Sequence, residues 1–146
     1  MWPLSRFISL LAAPLLLASV VAGAHASSRG QMAMTLVKTS PAHILVNAKG
    51  MTLYVFAKDS KNKSTCTGQC AMYWPPAIVP MGAKVTSKMM MAGGTIGEMM
   101  LKGGGDQLTY DGAPLYTFAS DKKPGDINGE GVGGIWWAVV AGTAVG

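Results

Sequence analysis

The chain contains the same pattern twice. Residues 53–76 read LYVFAKDSKNKSTCTGQCAMYWPP, and residues 115–138 read LYTFASDKKPGDINGEGVGGIWWA. At an offset of 62, Val46 meets Leu108, Gly50 meets Gly112, and Leu53-Tyr54 meets Leu115-Tyr116. Phe56-Ala57 then meets Phe118-Ala119, and Asp59, Lys61 and Trp74 meet Asp121, Lys123 and Trp136. No gap is needed over that span. Three aromatics, a glycine and an aspartate in one register are the mark of two copies of a supersecondary unit. A lone hairpin is marginal in water, so the two copies are expected to build one domain.

Each copy opens as a hairpin. HILVNA leads into Ala48-Lys49-Gly50 and returns as TLYVF; QLTY leads into Asp111-Gly112 and returns as PLYTF. An Asp-Gly pair between short β-prone runs is a strong hairpin signal, because glycine takes positive φ at little steric cost. Strand alternation puts Tyr54 with Phe56 on one face, and Tyr116 with Phe118 on one face. Leu53 and Val55 take the opposite face, as do Leu115 and Thr117. Asp59 and Asp121 fall just past these strands, where a carboxylate accepts hydrogen bonds from N–H groups of the following turn. In copy one, residues 66–73 are expected to form one or two helical turns, and Pro75-Pro76 then forces an extended chain. In copy two, Ile135 to Val140 read as a strand.

The first 26 residues read as an export leader. Arg6 precedes an apolar stretch from Phe7 to Ala22, and Ala24-His25-Ala26 supplies a signal-peptidase pattern, with cleavage expected before Ser27. The apolar run is short for a membrane span, which needs ~20 residues. The expected location is therefore periplasmic or extracellular, with membrane contact only through an uncleaved leader. Without Arg6 the chain carries eleven Lys and Arg against seven Asp and Glu. That charge is mild and scattered. In an exported protein it points away from nucleic acid and toward solubility or an anionic envelope surface. Cys66 and Cys70 both lie in the exported part. An oxidising compartment favours a disulfide between them, the alternative being a reduced pair that binds a soft metal.

The segments Tyr54-Val-Phe56-Ala-Lys-Asp59 and Tyr116-Thr-Phe118-Ala-Ser-Asp121 both fit Y-x-[FWY]-x-x-D. With CTGQCAMYWPP, QLTYDGAPLY and PGDINGEGVGGIWW, they resemble the bacterial secreted-repeat family over roughly residues 43–141. Members of that family are described as predicted lipoproteins carrying a Yx(FWY)xxD motif. The resemblance implies an exported, envelope-associated protein with paired repeats, and it supplies no reaction. No cysteine follows the apolar run of the leader, so lipid anchoring is not expected here.

Chemistry-bearing residues are few. His43 is the one histidine beyond the leader, and a packed or solvent-facing role is expected for it. The repeat places Asp59 and Asp121 in equivalent settings, which argues against an acid and a base with divided pKa values. No HExxH, GxSxG or P-loop is present. A non-enzymatic protein is expected. Ten methionines follow Met1, five of them in MMMAGGTIGEMM, residues 89–100. Thioethers suit Cu(I), so Met89, Met90, Met91, Met99 and Met100, with His43 or the cysteines, form a candidate copper set. Against it, methionine also fills irregular core gaps or decorates a connector. Residues 126–131 resemble half of a calcium loop, but Trp137 stands where a bidentate Glu belongs, so a glycine-rich turn is expected. Tyr73, Trp74, Trp136 and Trp137 could form a ligand platform, while Trp74 and Trp136 fit better as buried aromatics joining the copies.

The expected architecture is a small, mainly β domain of two pseudo-repeated hairpin units, with a short helix near Cys66 to Tyr73. The expected boundaries are a leader at 1–26, an N-terminal segment at 27–42 and the repeat domain at 43–146. Within that domain repeat one spans 43–80, a Met-rich linker 81–104 and repeat two 105–141. The linker is expected to be the loosest part apart from the termini. The expected function is binding of an envelope component or small ligand, with copper as the sharper version. The alternative is a structural or interaction module with no metal or small-molecule ligand.

Overall fold

A hairpin turn fixes the register of each copy. In copy one, Asn47 N–H donates to Met51 O and Gly50 N–H to Asn47 O, closing the loop Ala48-Lys49-Gly50 with Gly50 at φ +82°. In copy two, Tyr110 pairs with Ala113 around the two-residue turn Asp111-Gly112, both at positive φ. Copy one therefore has one residue more in its turn. As a result Leu45, not Val46, is the counterpart of Leu108, which corrects the ungapped alignment ahead of the turn.

The computed structural model describes residues 37–83, 85, 89–91 and 93–143. The expected export leader, residues 1–26, and its expected cleavage site lie outside them. The elements in order are β1 Val37–Thr39, β2 Leu45–Asn47, β3 Tyr54–Phe56, α1 Gln69–Tyr73, β4 Ile78–Val79, β5 Met89–Met91, β6 Gly94–Met100, β7 Asp106–Tyr110, β8 Ala113–Pro114 and β9 Trp136–Ala138. A short 3-10 turn, Val132–Gly134, precedes β9. The fold is mainly β, with antiparallel pairing throughout and one short helix, as the repeat predicts.

The repeat is longer than the sequence comparison shows. β1 pairs with β2 so that Val37 faces Asn47 and Thr39 faces Leu45. β6 pairs with β7 so that Ile96 faces Tyr110 and Glu98 faces Leu108. Each copy thus has a further strand ahead of its hairpin. In copy one it falls in the expected N-terminal segment, and in copy two in the expected linker. Part of the expected Met-rich linker is regular structure: Met89–Met91 and Gly94–Met100 are paired strands of a five-stranded sheet. The counterparts Val37 and Ile96 are 59 residues apart, so a comparison at a single offset of 62 misses them.

The two copies are interleaved. Leu45 N–H donates to Val139 O, Leu53 N–H to Leu45 O and Val139 N–H to Leu53 O. Leu108 N–H donates to Ala77 O, Leu115 N–H to Leu108 O and Ala77 N–H to Leu115 O. These are the same ring of three bonds built twice. In each ring the hairpin comes from one copy and the last strand from the other. Likewise β3 of copy one pairs with β9 of copy two, while Thr117 and Ala119 bond back to Pro75 and Tyr73. The pseudo-twofold axis passes between Tyr54 and Tyr116, which exchange both backbone hydrogen bonds at 2.9 Å.

Strand alternation separates two cores. Leu45, Leu53, Val79, Ile96, Leu108, Leu115 and Val139 form an aliphatic core, with Val55 packed against it. Tyr54, Cys66, Trp74, Tyr116 and Trp136 form an aromatic one, with Phe56 and Phe118 against it. The expected faces of the motif strands are those observed.

Candidate functional site

The motif residues of both copies converge on the pseudo-twofold axis. Trp74 and Trp136 stack face to face, with centroids 3.8 Å apart and planes 1° from parallel. Phe118 stacks on the outer face of Trp74 at 4.1 Å, and Phe56 on that of Trp136 at 4.2 Å. Tyr54 meets Trp74 edge-on at 5.3 Å, and Tyr116 meets Trp136 at 5.2 Å. Four rings form one column, and the two tyrosines brace it with their edges. Each of the three stacked pairs in that column joins a residue of one copy to a residue of the other. The expectation that Trp74 and Trp136 join the copies holds.

The carboxylates are exchanged as well. The Tyr54 hydroxyl donates to Asp121 Oδ2 at 2.7 Å, and the Tyr116 hydroxyl donates to Asp59 Oδ2 at 2.5 Å. Tyrosine and aspartate of one motif therefore never bond each other. The second oxygen of each carboxylate binds its own following loop, as expected from position. Asp59 Oδ1 accepts from the N–H and hydroxyl of Thr65, and Asp121 Oδ1 accepts from the N–H and amide of Asn128. Burial raises the pKa of both phenols well above the usual tyrosine range, and the aspartate hydrogen bond raises it further.

That shift has a consequence at alkaline pH. The native state keeps both phenolic protons after the unfolded chain has begun to release them near pH ~10. Stability from these groups is complete below that pH and falls above it. The expected loss is about 1.4 kcal/mol per pH unit for each tyrosine. Urea denaturation between pH 8 and 12 measures this slope, and Tyr54→Phe should remove about half of it. A slope that the substitution leaves unchanged would contradict the assignment.

The cysteines are paired. Cys66 and Cys70 form a disulfide with Cα atoms 5.2 Å apart, which ties the loop after Asp59 to α1. They are not available as thiolate ligands. Gly129 occupies a comparable place in copy two, where a Cβ would lie 2.7 Å from Trp74 and 2.8 Å from Tyr54. Close backbone packing holds that loop in place of a disulfide.

The candidate metal residues lie on different elements. His43 is exposed at φ +60°, in the turn before β2 and not at a strand start. Met89–Met91 pair in backbone register with Gly94–Ile96, whereas Met99 and Met100 pair with Gln107 and Asp106. The partners of Met89–Met91 lie three to six residues from Met99 and Met100 along β6, about 10–20 Å at 3.3 Å per residue. Met100 is 81% exposed. In backbone register, Met89–Met91 therefore sit opposite a different stretch of the sheet from Met99 and Met100. Among the described residues no three His, Cys, Asp or Glu side chains gather as a metal set. In the half-calcium loop, Asp126 binds Lys123 Nζ and the N–H groups of Lys122 and Lys123, which hold its pKa down to about 2. Asn128 is spent on Asp121, and Glu130 caps Ala138 N–H.

What sequence reasoning left out is a groove of about 580 Å³ on the outer face of β3 and β9. Val55, Ala57, Pro114 and Val139 give it an apolar floor, and Trp137 forms a wall. Lys61, Asp111 and Asp59 also line it. The stem of Lys61 crosses the turn glycine Gly112 of the other copy. Trp137 is 44% exposed, and at the repeat offset its counterpart is Pro75. The fold therefore does not require an aromatic at this place. The doubled Trp136-Trp137, against Trp74-Pro75, was the signal in the sequence.

The interleaved strands, the exchanged Tyr–Asp bonds and the paired aromatic column define a single domain built from two inseparable repeats. Residues 35–78 and 99–140 match a family described as a secreted repeat of unknown function. They cover more than half of the chain, and the chain belongs to that family. Its second match begins within β6, ahead of the expected start of repeat two. No curated protein and no solved structure matches the chain. Family membership makes this an exported protein. Among the described residues no helix is long and apolar enough to cross a membrane.

Proposed function

We propose that the protein is a non-enzymatic binding module of the cell envelope, and that the groove beside Trp137 receives a small ring-bearing ligand. The observation that carries this reading is the exposed indole over an apolar floor, at a position where the other copy needs only proline. The groove volume lies within the 300–1,000 Å³ range typical of small-molecule sites. An indole offers a flat face for stacking, and Lys61 offers a cation for an anionic substituent. The motif carboxylates support a binding role over a catalytic one. Both are held by tyrosine and by their own loops, so neither is positioned as a free general base.

Anilinonaphthalene sulfonate matches the groove in size and ring character, and its sulfonate can reach Lys61 beside Asp59 and Asp111. Saturable one-to-one binding is expected for the full chain, with loss of at least tenfold in affinity in Trp137→Ala. Equal binding by that variant, or no saturable binding, would favour a purely structural module.

A further inference from the structure

The contacts between the repeats are reciprocal, so each repeat carries both halves of the same recognition surface. It offers a tyrosine and receives one at its aspartate. It lends a last strand and receives one at its hairpin. It contributes one tryptophan to the central stack. Nothing in these bonds distinguishes a repeat of the same molecule from a repeat of another. Closed pairing within one chain is favoured by effective concentration, which for short linkers is in the millimolar range.

The covalent route from copy one into copy two leaves β4 through a reverse turn. Ala83 N–H donates to Pro80 O at 2.9 Å, with Gly82 at φ +83° and Met81 fully exposed. Straightening this turn carries copy one away from its own copy two while β5 and β6 stay on β7. The exchanged state then rebuilds every inter-repeat bond with the partner molecule. Its costs are one turn and the association entropy, which is the usual condition for exchange of an element between protomers.

We propose that the face each repeat turns toward the other is a self-complementary recognition surface for a second Tyr-x-Phe-x-x-Asp repeat, and that two copies of this chain exchange repeats across it to form an interlocked dimer. The partner is a second copy of this chain. This inference is independent of the Trp137 groove.

Ile44 and Val140 provide the test. They face each other across copies as an antiparallel bridge, flanked by the bonds of Leu45 with Val139 and of Ala141 with His43. Such a non-hydrogen-bonded pair has Cα atoms about 4.5 Å apart, within disulfide range. Ile44→Cys and Val140→Cys are made in separate full-length chains. The chains are mixed in urea at high concentration without reductant, refolded, oxidised and run on a non-reducing gel. The combined variant Ile44→Cys/Val140→Cys, closing its own disulfide as a monomer, confirms that the substitutions fold. A covalent dimer found in the mixture and not in either variant alone, with positions 44 and 140 joined in its peptide map, is the expected result. No mixture-specific dimer, with the combined variant folded, would overturn the proposal.

Discussion

Trp136→Ala is expected to destabilise the protein by about 3–5 kcal/mol, the range for removing a large buried aromatic. The indole is buried and touches three rings: it stacks on Trp74 and Phe56 and meets the edge of Tyr116. Two of those three belong to the other copy or to the strand that the other copy pairs. Truncation therefore opens a cavity on the pseudo-twofold axis and separates Phe56 from the column. Domains of this size are stable by only 5–15 kcal/mol, so the loss is a large share of the total. Trp74→Ala should cost a similar amount, since its surroundings are the mirror set. Trp137→Ala, one residue along, should cost far less because its ring stands at the groove. Urea denaturation of the three variants measures the contrast. Equal effects for positions 136 and 137 would contradict the packing described.

The second large effect lies in the exchanged carboxylates. Asp121→Ala leaves the buried Tyr54 hydroxyl without its acceptor and frees Asn128 N–H, while the Asn128 amide keeps only Ser120 O at 3.4 Å. A lost hydrogen bond to a charged group costs about 1.5–3 kcal/mol, and a stranded buried donor adds to it. A loss near 3 kcal/mol is expected at neutral pH. The crossing makes a sharper prediction. In double-mutant cycles Tyr54→Phe should couple to Asp121→Ala by about 1–3 kcal/mol, and to Asp59→Ala by less than about 0.5. Tyr54 and Asp59 sit in one motif, five residues apart, yet share no bond. Coupling within a motif instead of across motifs would overturn the interleaved arrangement.

The hairpins were legible because turn chemistry is local. Asp111-Gly112 and Gly50 need positive φ, and the flanking β-prone runs fix the faces of Tyr54 and Phe56. Aspartate binding to the next loop was legible for the same reason. The extra strand of each copy was hidden. β1 and β6 share little beyond Val37 and Ile96, and intervening loops of unequal length shift their register. Methionine-rich composition gave no sign of β6, which is held by its pairing with β7 and not by the identity of Met99 and Met100. The groove was invisible in one dimension. Its lining comes from residues 55–61, 111–114 and 137–143, and only folding brings them together.

The sequence by itself determined that two copies of one β unit share a domain, where each copy turns, and which motif residues face inward. Periodicity, glycine conformation and strand alternation act over a few residues, so they are readable without the fold. Only the tertiary structure decided that the copies trade strands, that each tyrosine serves the other copy's aspartate, and that Trp137 is left at an open groove. Those outcomes depend on which of two chemically equivalent partners is reached across the pseudo-twofold axis. A repeated sequence offers the same residue types for both pairings, so the choice rests on chain geometry alone.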